Sequence, residues 1–193
     1  MRILAATGNK GKLREIREIL ENVDLTIVSP DEIGLKTDVL EDGLTFEENA
    51  IKKASALRDE SGMNVLADDS GLCVDALGGM PGVISARFSG ASATDERNII
   101  KLLNLMEGEK DRKAKFICVL ALALTDGRII TASGECPGII TDCPSGTGGF
   151  GYDPVFLDPA SRLTFAELPQ DEKNKISHRR RALEEMKIIL KDL

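Results

Sequence analysis

The 193-residue sequence has no tryptophan and one tyrosine, Tyr152. With six phenylalanines as its other aromatics, it offers little surface on which the bases of a single strand could stack. A basic excess is also missing. Twenty-five lysines and arginines face 32 aspartates and glutamates, a net charge of −7, whereas a protein that neutralises duplex phosphates shows a basic face. Cationic residues cluster only locally, at 10–14, 52–53 and 173–181, which suits a small anionic ligand better than a polymer. No nucleic-acid partner is expected. Four cysteines (Cys73, Cys118, Cys136, Cys143) form no CxxC pair and lack the density of a disulfide scaffold. They read as buried or free thiols in a reducing cytosol, hence a cytoplasmic location. No apolar run approaches the roughly 20 residues that span a bilayer. The stretch Met1–Gly8 is too short for a signal peptide and reads better as a strand, so no membrane partner is expected. Repeats, low-complexity tracts and long linkers are absent, so residues 1–193 read as one domain, with room for two small lobes and no separable linker.

What is present alternates. Arg2–Ala6 reads as a buried strand. The segment Lys12–Leu20 places Leu13, Ile16, Ile19 and Leu20 on one helical face. Asp24–Val28 is a second strand, closed by Ser29-Pro30. Thr45-Phe46-Glu47-Glu48 matches a capping box and opens a helix with the stripe Phe46, Ala50, Ala54 and Leu57, stopped by Gly62. Asn64–Ala67 is a strand running into Asp68-Asp69-Ser70-Gly71. Gly78–Gly82 is a loop, and Thr94-Asp95-Glu96 starts another helix with acids in its first turn. Phe116–Leu124 turns at Asp126-Gly127 into Arg128–Ala132, the clearest hairpin signal. Ser177 caps a last helix with Ala182, Met186 and Ile189 on its buried face. Early helix–strand alternation followed by an antiparallel hairpin predicts an α/β fold with a mixed sheet flanked by helices.

Four segments could carry chemistry. Thr7-Gly8-Asn9-Lys10-Gly11-Lys12 is a strand-to-helix turn whose glycines let backbone approach a ligand and whose helix start attracts phosphate. It is not a Walker A loop, because two residues rather than four separate its glycines and Leu13 follows Lys12. Alone it reads either as an anion cradle or as a solvated turn, although lysines at a helix start oppose the dipole and a bound anion would relieve that conflict. The second segment is acidic. Asp68 and Asp69 end a buried strand, and Glu41-Asp42 lie in the loop before the Thr45 helix. Neighbours on a regular strand face opposite sides, so both aspartates could not hold one ion there. A strand-end carboxylate with a second from a loop suits Mg²⁺ beside phosphates. Asp-Ser-Gly is also ordinary turn chemistry, which the residues alone favour.

The third segment, Gly146–Pro154, places four glycines around Phe150, Tyr152 and Asp153. That is too costly in backbone entropy for a casual linker, and it could lay a flat ring against Phe150 or Tyr152. The alternative is a hairpin whose aromatics plug the core. The fourth runs from Lys173 to Arg181 and includes Lys175, the sole histidine His178, and Arg179-Arg180-Arg181. Three arginines at a helix start oppose the dipole, so at least one should meet an anion, and a lone histidine is more often structural than catalytic.

Together the segments ATGNKGK (Ala6–Lys12), GLTFEENAIKKA (Gly43–Ala54), ADDSGLCVDALGGMPGVISARFSG (Ala67–Gly90), GTGGFGYDPVF (Gly146–Phe156) and KISHRRRAL (Lys175–Leu183) resemble the inosine triphosphate pyrophosphatases, the non-standard purine NTP pyrophosphatase family. The resemblance spans nearly the whole chain. It implies an elongated mixed α/β fold with the nucleotide in a cleft between two lobes, and a homodimer. It also implies hydrolysis of ITP, dITP or XTP at the α–β anhydride to a nucleoside monophosphate and pyrophosphate, which would cleanse the nucleotide pool. Carried over by position, Thr7, Gly8, Asn9 and Lys12 contact the phosphates, with Lys10 and Gly11 in the same turn counted as substrate-binding. Asp69 binds Mg²⁺ (Mn²⁺ being the alternative) and orients or deprotonates the attacking water. Glu41, or else Asp42, is the second metal carboxylate. Ser70 and Lys53 touch the substrate, Lys53 rather than Lys52 on the motif's spacing. Phe150, Gly151, Tyr152, Asp153, Lys173, His178 and Arg179 surround base and sugar. Two other hydrolase classes are excluded by motif. The adjacent mid-chain aspartates do not match a haloacid-dehalogenase nucleophile, and Ser70 lacks the G-x-S-x-G elbow of a serine hydrolase.

Overall fold

The structure, a computed structural model, describes residues 1–36 and 39–191. Seven strands form one mixed sheet in the order β2-β1-β3-β4-β5-β6-β7. In chain order they are β1 (Arg2–Ala5), β2 (Thr26–Val28), β3 (Asn64–Val74), β4 (Lys113–Ala123), β5 (Ile129–Ile140), β6 (Phe156–Asp158) and β7 (Leu163–Thr164). β1 pairs in parallel with both β2 and β3, while β6 pairs antiparallel with β5 and β7. The helices are α1 (Lys10–Ile19), α2 (Phe46–Ser61), α3 (Asp95–Leu105), α4 (Gln170–Ile176) and α5 (His178–Lys191). The expected α/β class with a mixed sheet is therefore what the chain adopts.

Local signals account for most boundaries. The Thr45 hydroxyl accepts from the Glu48 N–H at 3.1 Å, and the Glu48 carboxylate reaches back to the Leu44 N–H at 2.7 Å, so α2 begins where the capping box places it. It ends at Gly62, whose φ of +65° is the left-handed conformation glycine adopts without strain. At α3 the Thr94 hydroxyl accepts from the Arg97 N–H at 3.3 Å and caps the helix. The Leu124 N–H bonds the Arg128 carbonyl at 2.9 Å to close the β4–β5 turn.

Two expectations change. Asp68-Asp69-Ser70-Gly71 is not a turn: β3 runs straight through it to Val74. Turn propensity is a local preference, and burial with charged and amide partners on the strand's two faces overrides it. β4 and β5 also extend past the hairpin segments read from sequence. The last helix, α5, starts directly after the extended Ser177 as expected, and the short α4 before it is an additional element.

The chain divides into two compact units. The first comprises Met1–Asp69, Cys118–Gly134 and His178–Leu193; the second comprises Ser70–Ile117 and Glu135–Ser177. In the first, the two faces of the strands build two cores. Ile3, Ala5, Leu66, Leu120 and Leu122 join Ile16 and Leu20 of α1 and Ala182, Leu183 and Met186 of α5. Their strand neighbours Leu4, Val65, Ala67, Ala121 and Ala123 join Ala50, Ala54 and Leu57 of α2. That division is the period-2 alternation of a strand. The second unit has its own core of Leu72, Val74, Phe88, Leu102, Met106 and an aromatic group, in which Phe156 lies 4.4 Å from Phe116 and 4.8 Å from Phe165 between ring centroids. Among the described residues no helix is long and apolar enough to cross a membrane.

Candidate active site

The pleat that sorts the cores also sorts the two aspartates. Asp68 shares parity with Leu66 and faces the α1 and α5 layer; Asp69 shares parity with Ala67 and faces α2. Both are buried, and each meets different chemistry.

Asp68 is the anion of a cation cluster. Its Oδ2 accepts from Lys12 Nζ at 2.8 Å and lies 3.3 and 3.4 Å from Arg179 Nη2 and Nε. The third arm of the guanidinium, Nη1, donates to Glu15 Oε2 at 2.8 Å. Burial alone would raise the Asp68 pKa, but the charges of Lys12, Arg179 and Lys53 outweigh it and hold the carboxyl far below the usual range. Arg179 is likewise opposed by its burial, yet Asp68 and Glu15 hold it protonated. Cys118, on the same face of β4, is pushed up to about 12, first by burial and then by the Asp68 charge.

This cluster locates the anions that the helix starts called for. Lys12 and Arg179 oppose their own helix dipoles, and the neutralising carboxylates come from within the chain. The turn before α1 is similarly engaged. Asn9 Oδ1 accepts from the N–H groups of Gly11 and Lys12 at 2.8 and 3.1 Å, and Thr7 Oγ1 accepts from the Asn9 N–H at 3.1 Å. Three of the backbone donors a phosphate would seek are thus held by side chains of the motif itself. Gly8, Asn9 and Lys10 are exposed.

Asp69 meets α2. Its Oδ2 accepts from Asn49 Nδ2 at 3.0 Å, while Asn49 Oδ1 accepts from the Gly43 N–H at 2.7 Å. One turn further along α2, Lys53 Nζ donates to the Asp68 carbonyl at 3.1 Å and pairs with the Glu41 carboxylate. Burial would lower the Lys53 pKa, but Asp68, Glu41 and Asp69 together raise it. The neighbouring pair is distinct, since Asp42 meets the exposed Lys52. Of the two loop acids, Glu41 is therefore the one that shares a cation with Asp68 and Asp69. Among the described residues no group of three or more His, Cys, Asp or Glu side chains is arranged to hold a metal by itself.

Ser70 follows on β3 and opens the second unit, half-buried. Within that unit the Gly146–Pro154 loop divides its aromatics. Tyr152 is in the core and its hydroxyl donates to the Ser85 carbonyl at 2.9 Å, so for this ring the core-plugging reading applies. Phe150 is 44% exposed. Asp153 Oδ2 accepts from the Phe150 N–H at 2.8 Å and from Lys173 Nζ at 2.5 Å, and the Lys173 ammonium sits 4.7 Å from the centre of the Phe150 ring. Gly149 has a φ of +72°, and a Cβ there would lie 2.0 Å from Asp153 Oδ2, which explains glycine at this position. The Gly151 N–H donates to Asp95. His178 and Arg179 belong to the first unit and are both buried; Arg179 contacts Asp68 and Glu15.

Two residues escaped the sequence reading. Asn49 lies three positions after Phe46 and Lys53 seven, so both sit on the apolar stripe of α2; a polar residue inside such a stripe was the available signal for Asn49. Glu15 lies beside Ile16 on the buried face of α1 in the same way.

Comparison with known proteins covers nearly the whole chain. The model of the Ham1 family matches residues 3–189. A protein of Geobacter sulfurreducens named dITP/XTP pyrophosphatase is 52% identical over 184 residues, covering 94% of this chain and 92% of its own. One of Desulforamulus reducens with the same name is 50% identical over 195 residues, covering 100% and 97%. A solved HAM1 protein from Coxiella burnetii superimposes with a TM-score of 0.93 at 40% identity, over 100% of each chain.

Proposed function

The chain belongs to the Ham1 family, and from that membership we propose that it hydrolyses non-standard purine nucleoside triphosphates (dITP, ITP and XTP) to the monophosphate and pyrophosphate. The observation that carries this reading is the Lys53 ammonium set among three carboxylates, Glu41, Asp68 and Asp69, with Lys12 on the other side of Asp68. Such a place accommodates positive charge beside a lysine able to meet phosphate.

Glu41 and Asp69 provide hard oxygen donors, and one or two carboxylates completed by phosphate oxygens and water are what Mg²⁺ usually takes. The donor set fits Mg²⁺, with Mn²⁺ the alternative; when bound, the ion supplies charge neutralisation at the phosphate oxygens. Everything else falls to the chain. Lys12, held at its Asp68 end, presents its ammonium to the phosphates, and the exposed Gly8–Lys10 turn lies beside it. Asp69 orients the attacking water and takes its proton as the bond to the α-phosphorus forms and pyrophosphate leaves, a contribution typically of about 10²–10⁴-fold. Arg179 acts through Asp68, keeping that carboxylate ionised and in place. In the second unit the exposed Phe150 ring, with the Lys173 ammonium beside it, offers a flat surface for a base. Hypoxanthine and xanthine carry a 6-keto acceptor where adenine carries a donor, and a site built on such a hydrogen bond can discriminate by about 10⁴–10⁵-fold.

We place this activity in the cytoplasmic nucleotide pool and expect a homodimer; the dimer rests on the resemblance alone and is checked by light scattering on the eluting protein. The function is tested by incubating the protein with dITP, ITP, XTP, ATP, GTP and dTTP, with and without Mg²⁺, and resolving the products. Metal-dependent release of IMP, dIMP or XMP with pyrophosphate, and little turnover of ATP or GTP, is expected. Release of orthophosphate, or binding without turnover, would overturn the reading.

A further inference from the structure

We infer that Asn49 is a positioning residue that fixes the Asp69 carboxylate and the Glu41 loop relative to each other as a single pair of donors for a divalent cation. This rests on the reading of Asp69 and Glu41 as the cation-binding acids.

The two acids come from separate segments, one from β3 and one from the loop before α2, whose spacing a third element can set. Helix α2 does so with two side chains four residues apart, which lie one above the other on a helical face. Each reaches both segments. Asn49 accepts from Gly43 of the loop and donates to Asp69 of the strand. Lys53 pairs with Glu41 of the loop and donates to the Asp68 carbonyl of the strand. Loop and strand are thus each held twice, by consecutive turns of one helix whose start is secured by the Thr45–Glu48 cap.

Of the two braces, Asn49 has directional chemistry. The Gly43 N–H can only donate, so the amide oxygen must face it, and the amide N–H₂ is then turned toward the Asp69 carboxylate. The side chain is fully buried, with both ends of its amide engaged. The loop is pressed against it: a Cβ on Gly43 would lie 2.7 Å from Asn49 Oδ1 and 2.9 Å from Glu48 Cβ. A buried amide of this kind orients a ligand that itself carries the charge. Partners of metal-binding side chains typically matter by about 10–100-fold in metal affinity or activity.

The test uses the whole protein with Asn49→Ala, Asn49→Asp and Asp69→Asn. Free Mn²⁺ is titrated by electron paramagnetic resonance, and melting temperature and dITP kinetics are measured alongside. Asn49→Asp keeps an acceptor for the Gly43 N–H but loses the donor to Asp69, so it separates the two contacts and serves if Asn49→Ala does not fold. Both Asn49 variants are expected to weaken Mn²⁺ binding by about 10-fold or more, with kcat falling and KM for dITP nearly unchanged. A merely structural role would lower the melting temperature and leave the Mn²⁺ affinity of the folded protein as in the wild type, and that result overturns the inference. If Asp69→Asn binds Mn²⁺ like the wild type, the underlying reading of Asp69 fails instead. If Asp69→Asn loses Mn²⁺ while the folded Asn49 variants keep it, only the positioning role is refuted.

Discussion

Replacing Arg179 by methionine probes the buried ion cluster most directly. Methionine keeps an unbranched apolar stem and removes the guanidinium, whose contacts include Nη1 with Glu15 at 2.8 Å, and Nη2 and Nε with Asp68 at 3.3 and 3.4 Å. Both carboxylates are almost fully buried, at 4% exposure for Glu15 and 3% for Asp68. Removing one partner of a buried pair costs about 3–5 kcal/mol, because the surviving charge is left uncompensated. Asp68 keeps Lys12 at 2.8 Å, so the lower end, about 3 kcal/mol, is expected. For a chain of this length that corresponds to roughly 6–12 °C in melting temperature.

The penalty also has a pH signature. In the wild type the Asp68 pKa is depressed on folding. Its stabilisation is therefore complete above the unfolded value of about 3.9 and is lost as pH falls below it. Without Arg179 the folded pKa rises and protonation relieves the stranded charge. The gap between wild type and variant should thus be widest near neutral pH and narrow as pH drops toward about 3. The double variant Glu15→Leu, Arg179→Met removes one of the two stranded carboxylates and should be less destabilised than Arg179→Met alone. Urea and thermal unfolding followed by circular dichroism measure all three. A loss below about 1 kcal/mol near neutral pH, or a gap that widens on acidification, would refute the reasoning.

Asp69→Asn should lower kcat on dITP by about 10²–10⁴-fold while shifting the melting temperature little; a folded variant with near wild-type turnover would remove Asp69 from the chemistry. Gly134→Ala should destabilise by about 1–3 kcal/mol, because its Cβ would lie 2.3 Å from the His178 carbonyl oxygen and 2.4 Å from the Ala182 nitrogen at the start of α5; an unchanged melting curve would count against that close approach. Cys118 is buried with its thiol pushed up to about 12, so iodoacetamide at mildly alkaline pH should leave it unmodified in the folded protein while labelling the exposed Cys143, as peptide mass spectrometry would read out.

How much of this was legible depends on how local each cause is. The caps at Thr45 and Thr94, the stop at Gly62 and the Asp126-Gly127 turn involve residues within a few positions of one another, and sequence alone places them. The division of Asp68 from Asp69 was also readable, because adjacent strand residues must face opposite sides. The turn expected at Asp68–Gly71 was not borne out, since the partners that keep the strand straight lie far away in sequence: Arg179 is 111 positions from Asp68, and Lys12 is 56. Glu15 and Arg179 are 164 apart, and no periodicity in either helix identifies the other as its partner.

The charge conflicts at the two helix starts were informative in a different way than expected. Lysines before α1 and arginines at the start of α5 called for an anion, and the structure supplies Asp68 and Glu15 rather than leaving all of that charge for a ligand. Two consequences follow for a triphosphate. The cluster is neutralised before substrate arrives, so the folded protein does not carry a buried excess of cations. Lys12, 20% exposed and bound to Asp68 at one end, is then held in one direction instead of sampling its rotamers, and less side-chain entropy remains to be lost when it meets phosphate. On the opposite face the same pleat gives Asp69 a direct amide partner, Asn49, with the Lys53 ammonium nearby. A carboxylate gripped by two guanidinium nitrogens and an ammonium is a poor proton acceptor, whereas Asp69 is held by the directional Asn49 amide. Adjacent positions on one strand thus serve two different chemistries, and the alternation of β3 keeps them apart.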